Sequence, residues 1–153
     1  MRRADCFAKI ATVALVLALA SVAPAGARDM FGVRTGFYTD VDKPFIGIEG
    51  LFGVGHSIYF NPNFEYVFLD DPKYMTFNLD FHYDFHTHGR AYVWAGAGLG
   101  VLYSDPDVGE GDTDVGLNLL FGVGLKGNVV PYVQAKVVVA DDSVFVIAFG
   151  VRF

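Results

Sequence analysis

Cysteine is almost missing from this chain. Cys6 is the only one in 153 residues, which excludes a disulfide framework and a thiolate metal centre. Basic charge is also scarce: 11 Lys and Arg stand against 17 Asp and Glu, for a net charge of −6. A nucleic-acid footprint, with its excess of cations, is therefore absent. Long apolar runs are lacking beyond residue 22. The longest, over residues 129–139, is interrupted by Pro131, Gln134 and Lys136, so no later segment supplies the roughly 20 apolar residues of a spanning helix.

What is present begins with a leader. Arg2, Arg3 and Lys9 precede an apolar run over residues 10–22, and Ala25-Gly26-Ala27 provides the small residues that a signal peptidase reads. The run is too short to span a bilayer. The expected division is a signal peptide over residues 1–27 and a single mature domain over residues 28–153. Cys6 lies ahead of the apolar run, which argues against a lipoprotein anchor. The leader takes three basic residues and one acidic residue, leaving 8 against 16 and a net charge of −8. Yet 53% of the chain is hydrophobic and 16% aromatic, so much apolar surface needs covering.

The organising pattern of the mature part is alternation with period two, which sends successive side chains to opposite faces of a strand. It is clearest over residues 75–85. Met75, Phe77, Leu79, Phe81, Tyr83 and Phe85 share one face; Thr76, Asn78, Asp80, His82 and Asp84 share the other. Similar segments cover residues 31–38, 46–53, 58–68, 92–101, 115–125, 132–139 and 145–153, which makes eight strands. Short connectors rich in Asp, Gly, Asn and His separate them, so the sheet is expected to be an antiparallel meander. Pro62 falls inside the third strand, where it forfeits a ladder hydrogen bond, and a bulge or local break is expected there.

Three features turn the apolar face outward. The opposite face is mostly Gly, Tyr, Asn and scattered charge, not the Lys, Glu and Thr of a water-facing exterior. The apolar face is bulky, and an eight-stranded interior barely holds its own side chains. Several strands also reach the roughly 9–11 residues needed to cross a bilayer at a tilt. The fold class read from these features is all-β: an eight-stranded antiparallel up-and-down transmembrane β-barrel.

The last strand places Phe145, Ile147, Phe149, Val151 and Phe153 at every second position. With AYVWAGAGLGVLY, GLNLLFGVGLKG and PYVQAKVVVADDSVFVIAFGVRF, it resembles the family of small eight-stranded outer-membrane β-barrels, which includes the barrel of outer membrane protein A. The resemblance covers essentially all of residues 31–153. It implies that these five residues form the signal read by the barrel-assembly machinery. It also implies passage with periplasmic chaperones, contact with outer-membrane lipid and lipopolysaccharide, and a monomer with both ends in the periplasm.

The strand faces assign Arg34, Glu49, Glu65, Asp80, Asp84, Lys136 and Arg152 to the lumen, with Asn63, Asn78, Asn118 and Gln134. Buried charge is costly unless it is paired, so one reading is an ionic plug in a structural or surface-interaction barrel. A second is a narrow cation-preferring pore. A third, suggested by barrel enzymes that modify lipid A, needs a nucleophile and base near the outer leaflet, and no Ser–His pair is placed there. His82, His86 and His88 cluster near one hairpin and form a weak transition-metal candidate. No resident cofactor is expected, although 11 acids gather on the connectors of one rim. Of these, Asp105, Asp107, Glu110 and Asp112 are candidates for weak Ca²⁺ or Mg²⁺ binding through carboxylate oxygens.

Overall fold

The structure, a computed structural model, describes residues 29–69, 73–105 and 110–153. The expected leader and Asp107 lie outside the described residues. Eight strands follow in order: β1 (Met30–Tyr38), β2 (Lys43–Gly55), β3 (Ile58–Val67), β4 (Lys73–Phe85), β5 (Ala91–Asp105), β6 (Asp112–Leu125), β7 (Val130–Val139) and β8 (Val144–Arg152). Each pairs antiparallel with its sequence neighbours, and β1 pairs with β8 to close the barrel. The closing ladder extends beyond β8, where Phe31 and Phe153 exchange backbone hydrogen bonds of 3.0 and 2.8 Å.

The alternation read from the sequence divides the barrel into inside and outside. On the outer face Ile48 and Val115 are each 64% exposed, whereas Glu65, Asp80 and Arg152 inside are 0% exposed. A water-soluble protein does not leave a continuous belt of Phe, Ile, Leu and Val open around its circumference. In hydrocarbon the same belt faces a matching solvent, and closure gives every strand a partner on both sides. Thr35, a polar residue on the outer face, has its hydroxyl turned onto the Phe45 carbonyl at 2.7 Å.

The local break expected at Pro62 falls on one side of this residue only. Its pairing with Leu79 on β4 is continuous, and only the ladder to β2 is interrupted, between Glu49↔Asn63 and Phe52↔Phe60. Continuing the alternation from the bonded Pro44–Phe68 pair, Gly50 and Pro62 should exchange backbone hydrogen bonds, and proline has no N–H to give. The Asn61 side chain supplies the donor instead, with its Nδ2 2.7 Å from the Gly50 carbonyl. The register shift that does occur lies lower on the same ladder, between Gly53 and Gly55.

A departure concerns the connector between the strands expected over residues 92–101 and 115–125. Strand pairing runs through Tyr103↔Thr113 and Ser104↔Asp112, so the connector is shorter and Asp105 and Asp112 lie in strands. On the other side of β5, Asp105 sits opposite Lys73. Opposite charges facing each other across a ladder favour this extension. The strands β4, β5 and β6, at 13, 15 and 14 residues, thus exceed the roughly 9–11 residues of a bilayer crossing.

The face assignment has a direct test on β4. Leu79→Arg puts a cation among lipid-facing side chains and should destabilise the folded barrel by roughly 2–4 kcal/mol. Urea titration in phospholipid vesicles measures the loss; an unchanged unfolding midpoint would mean that this face does not meet lipid.

Candidate functional site

The lumen holds the chemically distinctive side chains, and they form layers. At the end that carries the turns over residues 39–42 and 140–143, the layer is apolar. Tyr38, Phe45, Val67, Leu102, Val138, Val144, Val146 and Ala148 are buried there, with Val41, Leu69 and Tyr74 packed against them.

Below that layer runs a chain of ion pairs. Lys136 Nζ lies 2.9 Å from Glu65 Oε2, and Arg34 Nε lies 3.2 Å from Glu65 Oε1. The other side of the Arg34 guanidinium faces Glu49, with Nη1 3.6 Å from Oε2. Arg152 closes the chain through Nε at 2.9 Å and Nη2 at 3.3 Å from the two Glu49 oxygens. Tyr38 and Thr76 also donate to Glu65. Tyr132 and Asn61 donate to Glu49, at 2.6 and 3.0 Å. Each of these two carboxylates therefore receives several donors, as a buried charge requires.

Asp80 is held differently. It accepts from the amides of Asn63 at 2.9 Å and Asn118 at 2.8 Å. Asn78 joins the two by donating to Asn63 Oδ1 and accepting from Asn118, at 3.0 and 2.9 Å. None of the ion pairs among the described residues includes Asp80. Asp84, the remaining acid assigned to the lumen, stands apart: it is half-buried near the mouth and hydrogen-bonded to Tyr92. Three cations (Arg34, Lys136, Arg152) and three carboxylates (Glu49, Glu65, Asp80) are thus buried together.

An aromatic layer follows toward the end that carries Met30 and Phe153. The Arg152 guanidinium lies 4.8 Å from the Trp94 ring centroid and 4.3 Å from that of Tyr132, so its faces meet π-electrons while its edge meets Glu49. Trp94 Nε1 donates to Gln134 Oε1 at 3.2 Å. Gly122 makes room for this ring: a Cβ there would stand 2.2 Å from Trp94 Cε2. Met30, Leu51 and Val130, with Tyr59 and Tyr92, occupy the mouth below.

The partners contributed by Tyr38, Thr76 and Tyr132 were not identified from sequence. All three share the lumen parity of the charged residues, but parity assigns a face and not a contact across the barrel. The histidines also separate. His82 is buried between Tyr59 and Trp94, with ring centroids at 5.8 and 5.7 Å. His86 lies outside it, stacked at 6.1 Å on His56 of the neighbouring turn. The cluster of His82, His86 and His88 is therefore not assembled: the three share one parity, but His82 lies inside on β4 whereas His86 and His88 follow the end of that strand and are exposed.

At the acidic end, Glu110 and Asp112 are exposed and Asp105 is half-buried. The Asp112 carboxylate accepts the Thr113 N–H at 2.9 Å, a local side chain–backbone contact. Among the described residues no three His, Cys, Asp or Glu side chains converge on a point that could hold a metal. The terminal-strand residues Phe145, Phe149 and Phe153 are exposed on the lipid face, with Ile147 and Val151 half-exposed between them.

The ion network carries a prediction. Glu65→Gln leaves Lys136 and one side of Arg34 without an opposing charge, a loss of about 3–5 kcal/mol. Asp80→Asn opposes no cation directly and should cost about one hydrogen bond, roughly 1 kcal/mol. Denaturant midpoints of the two variants in vesicles check the order, and equal losses would contradict the network as described.

The chain matches no protein-family profile and no curated protein sequence. Solved structures do match. The N-terminal β-barrel domain of Pseudomonas aeruginosa OprF superposes with a TM-score of 0.69 at 14% identity, over 82% of this chain and 96% of that one. Neisserial surface protein A gives a TM-score of 0.68 at 18% identity, over 81% and 94%. The outer membrane enzyme PagL gives 0.56 at 11% identity, over 81% and 98%. At such identities the likeness concerns the backbone, and function differs among the three. The chain has the fold of the small eight-stranded outer-membrane β-barrels.

Proposed function

We propose that this protein is a structural or surface-interaction barrel of the outer membrane, monomeric and closed to solutes, with both chain ends in the periplasm. The observation that carries this reading is the filling of the lumen. An apolar layer caps the ionic chain at one end, and aromatic rings underlie it at the other. A cation crossing that path would have to displace packed valine, phenylalanine and tyrosine side chains and then break paired charges, which argues against the cation-preferring pore. Against a lipid A-modifying enzyme stands the distribution of nucleophiles and bases. Among the described residues, His56, His86 and His88 lie on turns at the end of the chain termini, with Ser57 beside His56, whereas the opposite rim carries Ser104 and Ser143 and no histidine to serve as base.

An even number of strands returns the chain to its starting side; with that side in the periplasm, the acidic connectors face lipopolysaccharide. Contact with the barrel-assembly machinery belongs to Phe145, Ile147, Phe149, Val151 and Phe153, after escort by periplasmic chaperones. These side chains lie along the lipid face of β8 and its extension, where an assembling partner meets them before closure.

Two measurements test this reading. Purified protein in a planar bilayer should give no discrete conductance steps, and reproducible cation-selective steps would establish the pore instead. Phe153→Ala should lower the amount of folded protein recovered in outer membranes several-fold; wild-type recovery would remove Phe153 from the assembly signal.

A further inference from the structure

Two turns meet at the end that carries the chain termini. His56 and Ser57 close β2 onto β3 between the paired Gly55 and Ile58, with Ser57 in the left-handed region at φ 63°. The β3–β4 ladder runs one rung past Ile58↔Tyr83, because the Asp84 N–H donates to the Ser57 carbonyl at 2.8 Å. His56 adjoins that rung on one strand, and His86 lies two residues beyond it on the other. Their ring centroids are 6.1 Å apart, with 23° between the planes.

The backbone beside His86 is held in place. The Thr87 hydroxyl donates to the Ala91 carbonyl, and the Thr87 carbonyl accepts from Lys126 Nζ at 2.7 Å. Both histidines are exposed, so a turn of either ring displaces no packed side chain.

This spacing suits one kind of ligand. An ion bonded to one nitrogen of each ring at about 2.0–2.1 Å holds the two centroids roughly 5–6.5 Å apart. The observed spacing lies inside that interval, so closing on an ion needs ring rotation and no backbone movement. Imidazole suits Cu²⁺, Ni²⁺ and Zn²⁺. Ca²⁺ and Mg²⁺ take oxygen ligands, and residues 56–57 and 86–90 contain no carboxylate. Among the described residues no third His, Cys, Asp or Glu converges with this pair, which leaves the remaining positions of an ion to water. Arg90 and Lys126 on adjoining turns repel a dication, so an ion held here exchanges with solution.

We propose that His56 and His86 form a two-histidine site for an exchangeable transition-metal dication, with Cu²⁺ held most tightly, as nitrogen ligands generally hold it. The ion bridges the β2–β3 turn and the β4–β5 connector. It sits at the rim, apart from the ionic chain of the lumen and from His82, which is buried on β4.

The test titrates Cu²⁺ into the folded, untagged protein in detergent micelles, where both rims are open to ions. Electron paramagnetic resonance reads the bound copper and the number of nitrogens coupled to it. H56Q/H86Q supplies the background from the amino end of the chain and the other histidines. Above that background, wild type should bind one Cu²⁺ with two coupled nitrogens. H56Q and H86Q should each weaken binding about tenfold or more, because each leaves a single donor in place of a chelating pair. H88Q changes an exposed histidine on the same connector and should keep the wild-type affinity and spectrum. Circular dichroism checks that each variant is folded. No copper binding by wild type above the H56Q/H86Q background would overturn the proposal. So would wild-type affinity in either H56Q or H86Q, which would mean that the two rings do not share an ion. An equal loss in H88Q would also overturn it, leaving only a diffuse histidine-bearing surface.

Discussion

Closure of β8 onto β1 sets the terms for the rest of the molecule. A sheet of eight strands that meets itself has a fixed and small circumference, and its interior is only wide enough for side chains. Where one strand sends in Trp94, the facing position on β6 must be Gly122; where β7 sends in Tyr132, β8 carries Gly150. The glycines that interrupt the alternation are therefore part of the same packing as the aromatics. Closure also leaves no unpaired edge for hydrocarbon to meet, which allows the bulky side chains to face outward.

The same narrow interior decides how the buried charges behave. Once the barrel is closed, Glu49 and Glu65 are shielded from bulk water and can keep their charge only by collecting cations and hydroxyls from other strands. Arg34 stands on β1 between them, Lys136 reaches Glu65 from β7, and Arg152 reaches Glu49 from β8. The cations thus come from strands on one side of the β1–β8 seam or next to it, and the carboxylates come from β2 and β3. The Lys136–Glu65 and Arg152–Glu49 pairs cross the β1–β8 seam, so these two links bind the seam as well as filling the lumen.

Beyond the membrane-facing belt, the ends are governed by different physics. Turns favour Asp at one end for backbone reasons, and the carboxylates there remain near water. At the opposite end, the short turns carry imidazoles and cations and no carboxylate. The protein consequently presents chemically different surfaces to the two sides of the bilayer although its strands are similar throughout.

Much of this was legible in the residues. Alternation over residues 75–85 places Leu79 and Asp80 on opposite faces whatever their neighbours do, because a strand has a period of two. Eight such segments with short connectors define a meander, and phenylalanine on one face with glycine and asparagine on the other turns it inside out. The same parity put Arg34, Glu49, Glu65, Lys136 and Arg152 in the lumen. Parity is a local property, however, and contacts across a barrel depend on stagger, closure and register. Only the tertiary structure decided that Asn61 would serve the carbonyl left vacant opposite Pro62, or that Asp80 would rest among amides and not beside Arg34. It also separated His82 from His86 and set His86 beside His56. The sequence by itself determined which side of the wall each residue occupies, since that needs only the pleat. Which residue it meets there was decided by the closed sheet, because strands distant in sequence become neighbours only once the barrel has a fixed circumference.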